Sequence, residues 1–307
     1  MKDAAMGVEA RIQHEHGPRG IGWLEWLPLI VLPAAAISIQ THLVPWVFMW
    51  VLAAAIFFGC KWQTWWEYRS THTATTGRSI GYLFLWPGMD AAAFLETTKS
   101  VRRPEGREWI WAGAKIFFGV AMVWGVVPDI PAAASLPAGW IGMVGIILLL
   151  HFGSFHLVSL MWRTAGVDAQ PIMQAPLAAG SLSDFWGRKW NLGFRQLTHR
   201  LIFTPARAWL GTPAAILLAF LASGVIHDLV ISLPARGGYG LPTGYFLLQG
   251  LGVLLERSTT GRKLGLTSGV RGWLFAVVIA GAPAFLLFHP LFVHRVILPF
   301  LNVLGAR

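Results

Sequence analysis

Apolar positions along this chain come in long runs rather than one-sided stripes, and Pro, Gly and clusters of charge separate the runs. A soluble helix shows an apolar face every three to four residues and a half-buried strand alternates, and neither period dominates here. Seven runs approach the roughly 20 residues that a helix needs to cross a bilayer. They lie at 24–40, 44–60, 109–128, 138–162, 209–233, 241–256 and 272–298. The last contains Pro283 and Pro290. Each proline removes a helix hydrogen bond and clashes with the preceding turn, so this run is expected to kink or divide. The alternating ten-residue segments of a membrane β-barrel are absent, and the pattern predicts an all-α, polytopic transmembrane helical bundle of about seven spans.

Two further stretches are apolar but broken. Ile80 to Leu95 is interrupted at Pro87-Gly88, and crossing there would put Lys61, Arg69 and Arg78 opposite Lys99, Arg102, Arg103 and Arg107. It is therefore read as re-entrant or interfacial, a geometry tolerated where protein or water satisfies the backbone. Gln170 to Gly180, with Pro171 and Pro176, is a second candidate of that kind. The polar start, 1–22, has no short apolar core leading to a cleavage site and reads as a cytoplasmic tail, leaving 23–307 as one membrane-embedded domain without internal repeats.

Composition agrees with the pattern: of 307 residues 55% are hydrophobic and 12% charged, with seventeen Trp, which excludes an ordinary soluble domain. Cys60 is the single cysteine, so intrachain disulfides and cysteine-based metal clusters are excluded. The formal net charge of +10 is carried by alternate loops. The tail, 61–108, 163–208 and 257–271 together hold 20 of the 24 Lys and Arg, whereas the loops near 41–43 and 129–137 hold none. Cytoplasmic loops retain such residues, so the N-terminus is expected inside and the C-terminus outside. Charge distributed in this way requires no nucleic-acid partner.

The candidate chemistry is concentrated in two places. Asp184-Phe-Trp-Gly-Arg-Lys-Trp-Asn191 opens a segment in which, on a helical wheel, Trp186, Trp190, Gly193, Phe194, Leu197 and Leu201 share one side. Asp184, Arg188, Asn191, Arg195 and His199 share the other. This predicts an amphipathic helix over 184–201 at the cytoplasmic surface, with the Trp residues seated against the membrane and the cations facing anionic lipid or an anionic substrate. His227 lies inside the fifth span, followed by Asp228 about 100° away around the helix, so the two form no facing dyad. Two readings stand for His227: a hydrogen-bonded packing residue, or a neutral imidazole acting as general base. Ser223 and Gly224 read as close-packing residues, Lys115 as snorkelling and Glu256 as a helix end. His151 and His156, like His289 and His294, are five apart and present no paired ligands on one face, so no metal or haem site is expected. Neither a phosphate-binding Gly-rich loop nor a Gly-x-Ser-x-Gly elbow is present.

At these residues the sequence resembles the wax synthase branch of the membrane-bound O-acyltransferases. The matching pieces are Ser181-Leu-Ser-Asp-Phe-Trp-Gly-Arg-Lys-Trp-Asn191, then Ser223-Gly-Val-Ile-His227-Asp228, with Tyr82-Leu-Phe-Leu-Trp-Pro-Gly-Met-Asp90 and Leu287-Phe-His-Pro290 as flanks, in the family's order over about 80–300. The resemblance implies transfer of a fatty acyl group from acyl-CoA, a co-substrate, to a lipophilic hydroxyl acceptor, most simply a long-chain alcohol. It matches His227 to the family's intramembrane histidine and Asn191 to its asparagine, the first as general base and the second as donor to the thioester oxygen or orienter of the acyl donor. Arg188, Lys189, Arg195 and Arg200 then become candidates for the CoA phosphates, and no further cofactor or metal is implied. Asp228 departs from the Glu that plant members commonly carry there, and seven spans is fewer than the family usually has. The same chemistry on a diacylglycerol, sterol or secondary-metabolite hydroxyl is an alternative. A lipid or anion transporter is another, although no second copy of the His227 or Asn191 segment accompanies it. The host membrane, a bacterial inner membrane or endoplasmic reticulum, and the oligomeric state are not legible.

Overall fold

The computed structural model describes residues 22–97 and 100–307, so all but the last residue of the polar tail lies outside it. Among the described residues every regular element is helical. Helix α1 (Trp23–Ser38) packs along α2 (Pro45–Thr71), which starts with Pro45 in the first turn, after an extended Val44. That placement exploits the fixed φ of proline where its missing N–H is not needed. Then follow α3 (Gly106–Asp129), α4 (Ala132–Thr164), α5 (Leu192–Ala235), α6 (Leu241–Arg257), α7 (Gly269–Leu287) and α8 (Pro290–Val303). By length and composition α2, α3, α4, α5 and α7 are able to cross a membrane, and α1 and α8 are shorter apolar helices.

All seven apolar runs become helix. The last divides at Phe288 and His289, as its prolines foreshadow: Pro290 occupies the first turn of α8, and the His289 ring caps that helix by accepting from the Phe292 amide. Two helices overrun their hydropathy signal. α2 continues to Thr71, and α5 begins at Leu192, bending at Gly211 (φ 77°, ψ 171°) just before Pro213. The last part of the stretch between the fourth and fifth runs, from Leu192 on, is thus the near end of α5.

Two cations counted as loop residues are interior. Lys61 is fully buried in α2; its Nζ donates to the Gly88 carbonyl at 2.7 Å and lies 3.1 Å from the centre of the Tyr82 ring. Arg163 is buried at the end of α4 and pairs with Glu108 at 2.6 Å. Hydropathy counting reads such residues as loop because it cannot see the partner that makes their burial tolerable. Lys61 also explains the broken stretch 80–95. This folds as Thr76–Leu85 and Ala91–Leu95 around a non-helical break, and the buried Lys61 Nζ satisfies a carbonyl of that break. Ten helical residues span only about 15 Å, half of the hydrocarbon core. Gln170 to Gly180 is irregular except for a turn at Pro176–Ala178, and it pairs with the segment after it, Gln174 N to Lys189 O at 2.8 Å and Leu192 N to Ile172 O at 2.9 Å.

α5 and α6, joined through a short turn, form the closest pair around the candidate site. A Cβ on Gly224 would lie 2.7 Å from Thr243 Cα, so only glycine permits this approach. Phe246 and Ile231 from this pair join Met143 of α4 and Val293, Val296 and Leu301 in one buried apolar cluster.

Candidate functional site

Ser181 opens the motif segment by accepting the Asp184 amide, and the Asp184 carboxylate accepts from Gly180 N and from Arg188 Nε. The backbone then widens into a π-helical turn over Phe185–Lys189. Trp190 is extended and Asn191 left-handed (φ 42°, ψ 61°), which ends the turn before α5 begins. The single amphipathic helix expected over 184–201 therefore does not form: a left-handed residue cannot continue a right-handed helix. The break also redirects both indoles. Trp186, expected at the membrane surface, sits between the rings of Phe220 and Phe246, 5.6 Å from each, with Nε1 donating to buried Gln249. Trp190 stacks on Phe185 at 5.5 Å.

Asn191 occupies its strained backbone region because an asparagine side chain offsets the strain locally. Its Oδ1 accepts the Phe194 amide as the N-cap of α5, and left-handed φ is several-fold commoner for Asn than for most residues. With the oxygen turned to the cap, the Nδ2 amide is the end of the side chain that remains for a ligand.

His227 is fixed by its own helix. Nδ1 lies 2.7 Å from the Ser223 carbonyl one turn earlier, and that oxygen only accepts, so Nδ1 carries the proton and Nε2 presents a lone pair. The Phe246 ring packs on the imidazole with centroids 4.3 Å apart. Asp228 makes no contact of this kind with His227, as the helix geometry predicts; its oxygens accept from Ser232, Gly240 and Thr243.

Asn191 and His227 line one cavity of about 400 Å³, a size usual for small-molecule sites. Trp186, Trp190, Phe220, Phe246 and Val253 form its apolar wall, while Arg195, His199 and Arg257 are its basic lining. His227 and Phe246 mark one end. Ile216 and Arg257 each lie eleven residues away on their helices, about 16 Å by helical rise. The cavity is thus a slot between α5 and α6, apolar along its side, with basic groups and an imidazole at separate levels.

Of the four cations expected at an anionic ligand, only Arg195 lines this slot. The wide turn points Arg188 outward, where it pairs with Asp184 at 2.7 Å, and Lys189 is likewise absent from the lining. Arg200 faces the opposite side of α5, bonded to Gln63 and paired with Glu67 at 2.9 Å in a separate polar recess. Arg257, which the sequence presented only as a loop cation, takes their place, its Nε donating to Ser183 Oγ at 3.1 Å. Beside it, buried Glu256 accepts the Ser183 amide, so the end of α6 holds the start of the motif. The Ser223 contribution to His227 is its backbone carbonyl, which any residue four before the histidine would supply, while its hydroxyl donates to the Ala219 carbonyl at 3.0 Å. Phe246 lies in an apolar run with nothing to distinguish it. Lys115, expected to snorkel, has its Nζ 3.3 Å from His156 Nδ1.

Comparison with known proteins bears on the same region. The model of the membrane bound O-acyl transferase family matches residues 169–248, which include Asn191, His227 and most of the slot. The probable long-chain-alcohol O-fatty-acyltransferase 7 of Arabidopsis thaliana is 30% identical over 177 residues, covering 53% of this chain and 49% of that protein. The long-chain-alcohol O-fatty-acyltransferase of Simmondsia chinensis is 31% identical over 136 residues, 36% of this chain and 39% of its own length. The chain thus spans about half the length, or less, of these curated relatives.

Proposed function

Taking this chain as a relative of the wax synthase branch of the membrane-bound O-acyltransferases, we propose that it is an integral membrane enzyme transferring a fatty acyl group from acyl-CoA to a long-chain alcohol. The observation that carries the reading is the shared slot: Asn191 and His227, far apart in sequence, line one cavity that is basic at one level and apolar along its length. A thioester with an anionic carrier and a hydrocarbon tail has that polarity.

In this reading the acceptor hydroxyl gives its proton to Nε2 of His227 as its oxygen attacks the thioester carbonyl. The tetrahedral oxyanion collapses, the C–S bond breaks, and the sulfur leaves with the proton returned from Nε2, giving an ester and free CoA. A positioned general base contributes roughly 10²- to 10⁴-fold. The Nδ2 amide of Asn191 donates to the oxyanion. Arg195 and Arg257 meet the CoA phosphates, a role for which guanidinium groups are suited. The N-terminus and the Lys- and Arg-rich loops then face the cytoplasm, from which acyl-CoA arrives, while the alcohol enters from the bilayer.

The test is incubation of the full chain, in membranes, with labelled acyl-CoA and a panel of long-chain alcohols, diacylglycerol and sterol. Ester with a long-chain alcohol is the expected result. Ester with another acceptor alone moves the substrate, and no ester from folded protein contradicts the whole reading.

A further inference from the structure

Asp228 follows the proposed base but is committed elsewhere. One carboxylate oxygen accepts from Ser232 Oγ at 2.8 Å and from Gly240 N at 2.9 Å. The other accepts from Thr243 N at 3.1 Å and from the Thr243 hydroxyl. Gly240 is the N-cap of α6 and has no side chain to cap it, so Asp228 caps α6 from the end of α5, with its negative charge at the positive pole of the helix. Ser232 is fully buried, and the Nε2 of buried His289 lies 3.4 Å from its hydroxyl. Because His289 Nδ1 accepts from Phe292 N, the ring proton resides on Nε2 and is directed at Ser232. The end of α5, the start of α6 and the start of α8 therefore meet through one carboxylate.

This junction bears on the imidazole from two sides. Asp228 is the residue after His227, and Thr243 stands one turn before Phe246, whose ring packs on His227. We infer that Thr243 and His289 are positioning residues for the proposed transfer, acting through Asp228 to hold His227 and Phe246 in register so that Nε2 keeps one direction. The role in turnover rests on His227 being the base; the geometry of the clamp does not. Loosening the clamp shifts Phe246 at the His227 end of the slot and leaves the basic lining at the other level and the rest of the apolar wall in place, so substrate binding is largely spared and the chemical step slows.

Thr243→Val removes only the hydroxyl and keeps the amide that Asp228 accepts; Thr243→Ser restores the hydroxyl. His289→Asn keeps a cap acceptor for α8 on a side chain shorter than the imidazole that meets Ser232. Each variant of the full chain is assayed for kcat, for KM of both substrates and for melting temperature. The Nε2 of His227 is read by NMR of histidine-selective ¹⁵N-labelled protein, its signal assigned by loss in His227→Gln. Thr243→Val and His289→Asn are expected to lower kcat roughly tenfold to a hundredfold with KM within about twofold, the cost of a small misplacement of a reacting group. The His227 Nε2 signal shifts as the Phe246 ring moves, while Nδ1 keeps its proton against the Ser223 carbonyl, and Thr243→Ser recovers both kcat and signal. Folded Thr243→Val and His289→Asn proteins with unchanged kcat and an unchanged His227 signal overturn the inference. If the wild type makes no ester yet the His227 signal moves in these variants, the clamp stands and the transfer reading falls.

Discussion

Asn191 carries two demands on one side chain, and they are separable. Its oxygen caps α5 and its backbone is left-handed, while its amide is the proposed donor to the reacting oxygen. Asn191→Asp keeps an acceptor for the cap and removes the donor; Asn191→Gly keeps the backbone freedom and removes both side-chain functions. Loss of one oxyanion donor costs roughly 10²- to 10³-fold in kcat. Asn191→Asp is therefore expected to lose that much turnover while melting near the wild type, and steady-state kinetics beside a thermal melt check it. If Asn191 is only a cap, Asn191→Asp keeps its kcat. At this scale the sequence was informative at His227, which stood out as an ionisable residue at an apolar depth, whereas Asn191, read on the polar face of a surface helix, stood out only through the motif that carries the family resemblance. The sequence was silent on Phe246, because an apolar ring in an apolar run carries no mark of its neighbour.

Between residues 181 and 190 a short element is held by one carboxylate. Burial alone raises the Asp184 pKa, but the Arg188 guanidinium, the Gly180 amide and the nearby Lys189 outweigh it, and Asp184 stays below the ordinary carboxylate value. A group whose folded pKa is depressed contributes stability that is complete above the unfolded value and is lost as pH falls through the folded one. Acidification below the ordinary carboxylate range is thus expected to loosen the 181–190 turn. Amide hydrogen exchange at Gly180 and Asp184 checks this, since it should speed at low pH in the wild type and be fast and pH-insensitive relative to intrinsic rates in Asp184→Asn.

The same segment shows why element boundaries resisted sequence reading. Apolar spacing made 184–201 one amphipathic helix, whereas Asn191, a residue that favours both caps and left-handed turns, was the sign of a break. Lys61 taught a related lesson, for a charge inside an apolar run was read as the edge of a span although it is an interior donor to Gly88. The division of the last run was legible from Pro290, because proline acts locally and needs no partner to be interpreted.

Across the whole molecule, the pairing of α5 with α6 produces a slot whose basic lining comes from both helices: Arg195 from α5 and Arg257 from α6. If these meet CoA phosphates, Arg195→Gln and Arg257→Gln raise KM for acyl-CoA and leave KM for the alcohol unchanged, with the effect shrinking as salt is added because screening weakens exposed charge interactions. Arg188→Gln, which alters a cation outside the slot, should change neither constant. The all-α membrane architecture was legible because hydropathy acts over whole helices. The slot was not, since it depends on Gly224 meeting Thr243 and on indoles turned inward by a break, contacts between segments that no local pattern encodes.

If His227 is the base of an acyl transfer, single-turnover ester formation from labelled acyl-CoA and a long-chain alcohol separates the wild type from His227→Gln in membranes. Rapid ester formation is expected from the wild type, and in the variant a loss of roughly 10²-fold or more with acyl-CoA still bound. Ester formation by folded His227→Gln at the wild-type rate would contradict that role.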